Sequence, residues 1–276
     1  MTLRSRPTLD AAADADAGTL ITVMSGKGGV GKTNIATNLA IAAARSGRRI
    51  LLIDGALGLA NVDVLLGLLP SATLLDVLDG SAPIETALLE GPRGITVLPA
   101  AAGRSELATL DRKAAEHLAH FVTALSRRFD ATFLDAASGI GPAVVALAGA
   151  SRRRVLVTNG EPTSLADAYS LLKVLERENR GQDVDLLVNA ARHAREARAT
   201  RDRIGRLATR FLDLELGWLG WLPHDPRLVE AVARQRALVD LFPACETSSR
   251  LVGFVDRLLP MEPCPMPAGW TRRDPG

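Results

Sequence analysis

The feature that most constrains this chain is a glycine-rich turn, Ser25-Gly26-Lys27-Gly28-Gly29-Val30-Gly31-Lys32-Thr33, between an apolar run (ITVMS) and a segment of helical composition (TNIATNLAIAAA). It satisfies G-x-x-x-x-G-K-[ST] in the strand, turn and helix setting that the motif requires. Gly26, Gly28, Gly29 and Gly31 let the backbone curl, so that the N–H groups of the loop, Val30 included, point inward at phosphate oxygens. The N-terminus of the following helix adds donors and partial positive charge. Lys32 has the reach for β- and γ-phosphates, and the Thr33 hydroxyl suits Mg²⁺. Lysine is scarce: Lys27, Lys32, Lys113 and Lys173 are four of 33 basic residues. Two of them fall within six positions of one loop, which a ligand-free turn does not explain and a nucleoside-triphosphate site does.

From Thr19 onward apolar runs alternate with helical segments. Buried strands are expected at 19–25, 49–54, 94–100, 131–135, 154–159, 184–190 and 215–222, each a nearly continuous apolar stretch of the kind parallel strands need when both faces are covered. Helices are expected at 32–46, 72–79, 83–89, 111–128, 141–150, 164–179, 195–211, 226–236 and 248–259, with Thr163 or Ser164 capping the one after Pro162. The expectation is an α/β chain: a P-loop three-layer fold with a mostly parallel twisted sheet of about seven strands and helices on both faces. Residues 1–18 read as a flexible extension, 19–259 as the P-loop nucleotide-binding domain, and 260–276, rich in proline, as an irregular tail.

Composition trims the alternatives. With 47% hydrophobic and 23% charged residues, the 276-residue chain has material for a sizeable core. A net charge of +2 gives no reason for wholesale nucleic-acid binding, and aromatics at 4% argue against a stacking platform for single strands. Cys245 and Cys264 are too few for a disulfide framework or a four-cysteine metal site. The first twenty residues lack a secretory apolar region, and no run of eighteen apolar residues occurs, so a cytoplasmic location is expected.

Two carboxylates stand where an open α/β sheet binds its ligand, at strand ends: Asp54 closing RILLID and Asp135 closing ATFLD. Either can hold Mg²⁺, directly or through water, or simply cap the element that follows. His117, His120, His193 and His224 have no ligand spacing tied to them, so no metal beyond Mg²⁺ is expected.

Lys27, one residue after the first glycine, makes the loop KGGVGKT, which resembles the deviant Walker A motif of the MinD/ParA family of ATPases. The resemblance implies ATP and Mg²⁺ as ligands and a face-to-face homodimer with ATP bound, in which Lys27 reaches the partner's nucleotide. It casts Lys27 and Asp54 as catalytic, Thr33, Asp54 and Asp135 as metal-holding, and Asn61 and the Gly139 region as switches sensing the γ-phosphate. It implies that Asn189 contacts adenine and that the Pro223 loop closes the base pocket. The segments 57–80, 94–110, Glu161–Tyr169 and 210–243 look like the FlhG group (also called FleN or YlxH), the flagellar number regulators. Cys245 and Cys264 lie far from the phosphate loop in sequence, unlike the iron–sulfur reductases that share KGGVGK.

Three departures matter. Relatives usually read D-x-D at the second strand, the second Asp positioning the attacking water, whereas this chain reads Asp54-Gly55-Ala56. A methyl group neither orients nor deprotonates water, so slow or partner-dependent hydrolysis is expected. Residues 1–18 hold no D-Q-A-x-x-L-R activator motif for the GTPase FlhF. Segment 249–259 has helical apolar spacing but a weakly charged polar face, which favours packing in the core over a peripheral membrane contact. Finally, 192–210 carries seven arginines at helical spacings, read as a solvated face, with an acidic partner or anionic lipid as the alternative. The function expected is an ATP-dependent dimerising switch that regulates flagellar number or placement through protein partners, an FlhF-like GTPase or a transcriptional activator. The alternatives are a pseudo-ATPase scaffold or anti-activator of transcription, and a MinD-like division-site ATPase.

Overall fold

Neighbouring residues of each inner strand are apolar and point to opposite faces, so the sheet must be covered twice. A computed structural model, which describes residues 18–56, 61–100, 110–181 and 183–260, has that architecture. The strands are β1 (Thr19–Ser25), β2 (Ile50–Gly55), β3 (Leu89–Glu90), β4 (Thr96–Leu98), β5 (Ala131–Ser138), β6 (Arg153–Thr158), β7 (Val184–Ala191) and β8 (Gly217–Pro223). They form one eight-stranded sheet ordered β3-β4-β2-β5-β1-β6-β7-β8, parallel except where β3 pairs antiparallel with β4.

One face carries Ile21, Val23, Ile50, Leu52 and Phe133 against α1 (Lys32–Ala44), α2 (Val62–Leu66), α10 (Leu238–Leu241) and α11 (Glu246–Leu258). The other carries Leu20, Met24, Leu51, Ile53 and Leu156 against α3 (Leu74–Leu78), α5 (Arg112–Ser126), α6 (Pro142–Ala150), α7 (Pro162–Arg177) and α8 (Ala194–Leu212). The short α4 (Ile84–Ala87) and α9 (Pro226–Ala233) complete the described α-helices, and a single 3-10 turn spans Pro92–Gly94. Leu251, Phe254 and Leu258 are buried beside α1, so the apolar face of the 249–259 segment is used inside the domain.

The expected helix 83–89 stops early: α4 ends at Ala87, and Leu89–Glu90 add an eighth strand at the sheet edge. That two-residue strand has no period to read. Neither Thr163 nor Ser164 caps the helix before β7. Pro162 fills its first position, where a missing N–H costs nothing, so Glu161 is the N-cap and Ser164 is buried against Thr158. Residues 62–66 and 238–241 fold as short helices outside the expected helical ranges. The expectations for residues 1–17 and 261–276, and those parts of the 57–80 and 94–110 segments that fall at 57–60 and 101–109, lie outside the described residues.

Candidate nucleotide site

β1 is the central strand, flanked by β5 and β6, and its C-terminal end delivers the phosphate loop into α1. The loop is held from three sides. Ser25 Oγ donates to the Lys27 carbonyl at 2.7 Å, Asn189 Nδ2 donates to the Val30 carbonyl at 2.8 Å, and the loop backbone lies against α7. Two glycines have definite steric reasons. Gly31, the N-cap of α1, has φ +94°, and a Cβ there would stand 2.4 Å from Asn189 Nδ2. At Gly26 a Cβ would stand 2.1 Å from the Asp167 carbonyl oxygen, a backbone atom that cannot step aside. Gly26→Ala is therefore expected to lower unfolding free energy by roughly 1–3 kcal/mol through overpacking, read as a drop in urea midpoint at unchanged m-value. An unchanged midpoint would mean that the loop does not rest on α7.

Two carboxylates lie side by side beneath the loop, since Asp54 and Asp135 are register partners across β2 and β5. Both are fully buried. Thr33 Oγ1 donates to Asp135 Oδ2 at 2.5 Å, while Asp135 Oδ1 is buried without a hydrogen-bond partner. Burial, followed by the charge of Asp54, pushes the Asp135 carboxyl up to about 7, against the pull of Lys32 and the Thr33 hydrogen bond. A hydroxyl and a carboxylate with an unpartnered oxygen, all hard donors beside the buried Lys32, fit Mg²⁺. A divalent ion there would satisfy the orphaned oxygen that the protein leaves bare.

Asp54 has a different set of contacts. Its Oδ1 accepts from the Ala56 N–H at 2.9 Å, and its Oδ2 accepts from the N–H groups of Asn61 and Val62 at 2.9 and 3.1 Å. Burial raises its pKa and those three donors oppose the rise. The carboxylate thus ties Ala56, Asn61 and Val62, the last two at the start of α2, to the end of β2. Asn61 is the exposed N-cap position of α2. Gly139, at φ +97°, donates its N–H to the Ser25 carbonyl at 2.9 Å, which ties the end of β5 to the strand that feeds the loop. Pro223 ends β8 in register with Ala191, one strand beyond Asn189.

Lys27 is turned toward α7. Its Nζ donates to Glu161 Oε2 and, at 3.0 Å, to Thr163 Oγ1. Both members of the ion pair are substantially exposed, so the contact is weakly held. Hydrogen bonding and charge from Lys27 hold the Glu161 carboxyl below its ordinary value. Sequence reasoning missed this pairing. Glu161 was in view as the first residue of EPTSLADAY, but nothing in one dimension joins positions 134 residues apart. Ala56 is half-buried, and its N–H is held by Asp54.

Residues 21–239 match the family described as the CobQ/CobB/MinD/ParA nucleotide binding domain. Among curated proteins the chain is 41% identical over 229 residues to "Antiactivator FleN" of Pseudomonas aeruginosa, covering 83% of this chain and 82% of that one. It is 31% identical to "Flagellum site-determining protein YlxH" of Helicobacter pylori, over 81% of this chain and 76% of that one. Among solved structures it resembles the MinC:MinD cell division protein complex of Aquifex aeolicus, with TM-score 0.71 and 28% identity, covering 91% of this chain and 99% of that one.

Proposed function

The chain belongs to the CobQ/CobB/MinD/ParA nucleotide-binding family, and from that premise we propose that it is an ATP-dependent dimerising switch acting on flagellar number or placement through protein partners. The observation that carries the reading is Lys27: a second loop lysine held on the surface by one exposed ion pair and one hydroxyl, so that a partner's nucleotide can capture it at little cost. The flagellar part of the reading rests on the 41% and 31% identities to FleN and YlxH.

The site residues divide the work as follows. The loop N–H groups from Gly26 to Gly31 and the N-terminus of α1 cradle phosphate oxygens, and Lys32 neutralises their charge. Thr33 and Asp135 would hold Mg²⁺, with Asp54 beside them. When bound, the ion supplies charge neutralisation across the phosphates. Asp54 holds the N–H groups of Ala56, Asn61 and Val62, and Gly139 tethers the end of β5, so both places stand ready to respond to the terminal phosphate. Asn189 and Pro223 border the base, and the Asn189 amide also fixes the loop. Ala56 leaves the attacking water without a carboxylate, so hydrolysis is slow or needs a partner. That same methyl favours a second reading, an anti-activator that holds ATP for long periods.

The test is solution mass with ATP-Mg²⁺ and then with ADP, alongside phosphate release over an hour. The switch predicts a dimer with ATP, a monomer with ADP, and slow phosphate release. A dimer that persists without phosphate release supports the anti-activator reading, and a monomer in both nucleotides sinks the dimerising switch. Lys27→Ala is expected to bind ATP as the wild-type monomer does, yet to need at least about tenfold more protein to dimerise, a loss of roughly 1.4 kcal/mol. A variant that dimerises normally would remove Lys27 from the interface.

A further inference from the structure

Six of the seven arginines at 192–210 lie on α8, Arg192 preceding it, and all seven are exposed. Its core face is Ala197, Thr200, Ile204 and Ala208, all buried. On another side, Arg203, Arg206, Leu207, Arg210 and Phe211 recur at spacings of three and four and so form a single stripe. Leu207 is 37% exposed and Phe211 58%. They face Pro162, Leu165 and Ala166 of α7 across a trough of about 530 Å³.

We infer that this trough is a docking site for an acidic amphipathic helix of a partner protein. The chemistry of floor and rim selects that occupant. The floor is apolar, with Leu165 buried and Leu207 partly so, and suits the apolar face of a helix laid in the groove. The rim carries Arg203, Arg206 and Arg210, and among the described residues none pairs with a carboxylate, whereas Arg192, Arg234 and Arg250 each hold a glutamate four residues away. The Arg210 guanidinium instead lies 5.2 Å from the centre of the Phe211 ring, ready to offer a forked donor outward. Arginine is weakly hydrated and pairs with carboxylates through two parallel bonds, so unpartnered arginines around an apolar floor favour Asp and Glu on the incoming helix. A bilayer would need the apolar side chains to stand above the charges, and here the floor lies between two helices. The site stands independently of the switch reading, although α7 also supplies Thr163, which binds Lys27.

The test pans a displayed library of random 16-residue peptides against the full chain. The selected peptides are then synthesised and titrated by fluorescence anisotropy against wild type, Arg206→Glu/Arg210→Glu and Phe211→Ser. Unchanged melting curves and ATP binding establish that the variants are folded. The expected result is enrichment of peptides with Asp or Glu flanking apolar residues at helical spacing, whose affinity falls more than tenfold on either variant. No enriched pattern, a basic or neutral pattern, or equal affinity for the variants would overturn the proposal. So would flotation with phosphatidylglycerol vesicles that is lost in the variants while no acidic peptide is enriched, since the ligand would then be a lipid surface.

Discussion

Ala56→Asp is expected to raise ATP turnover by about 10²-fold with little change in KM, the usual scale for supplying a general base or water-positioning carboxylate. Position 56 follows Gly55 at the end of β2, next to both buried carboxylates, and its N–H is already fixed by Asp54 Oδ1 at 2.9 Å. The backbone is thus held where a longer side chain would emerge beside the phosphate-binding edge of the sheet. Phosphate release in ATP-Mg²⁺ measures the gain. Ala56→Asn, polar but unable to take a proton, should recover much less, which separates orientation from proton transfer. The added charge also joins Asp54 and Asp135, so the variant without nucleotide or metal should be less stable than wild type. A stability loss without a turnover gain would mean that the carboxylate is present but not in use, and that another group already positions the water. If the turnover gain appears, the lifetime of the ATP-bound dimer should shorten by a similar factor.

How far this site could be read in one dimension follows from the range of each contact. The strand, glycine loop and helix from Thr19 to Ala44 are local, and their succession is written in consecutive residues, the helix ending two residues before the expected 46. Asp54 and Asp135 were legible as neighbours toward the C-terminal edge of a parallel sheet, although β5 runs three residues past Asp135 to Ser138. Their differing duties were not. That Asp54 holds three backbone N–H groups while Asp135 keeps one oxygen bare depends on where Ala56, Asn61 and Val62 come to lie, and composition does not encode that placement. Asn189 was read for adenine from a resemblance, while its bond to the Val30 carbonyl bridges 159 residues and required the packing of β7 beside β6. The short strand β3 was hidden because two residues carry no periodicity. The α8 arginines were visible as a run, but their meaning changed once Leu207 and Phe211 proved to share their stripe.

Asp135→Asn is expected to change stability as strongly as it changes metal binding, and in the opposite sense. In the nucleotide-free protein kept in chelator, Asp135 has a folded pKa of about 7 against an ordinary value of 3.8, so the folded chain retains a proton that the unfolded chain releases. The stability from that retained proton is complete below pH 3.8, declines as pH rises, and is gone above about pH 7. Across the whole window the decline amounts to about 4 kcal/mol. An amide cannot ionise, so Asp135→Asn removes this decline. Relative to wild type, the variant should gain about 4 kcal/mol between pH 4 and pH 8, visible as roughly 8 °C or more in relative melting temperature. With ATP the sign reverses. Thr33 and the amide would hold Mg²⁺ poorly, and Mg²⁺-dependent protection by ATP, large in wild type, should vanish in the variant. Parallel melting curves for the two proteins from pH 4 to pH 8 would mean that Asp135 is not the group left uncompensated beneath the loop. Retained Mg²⁺-dependent protection would mean that Asp54 and Thr33 hold the ion without it.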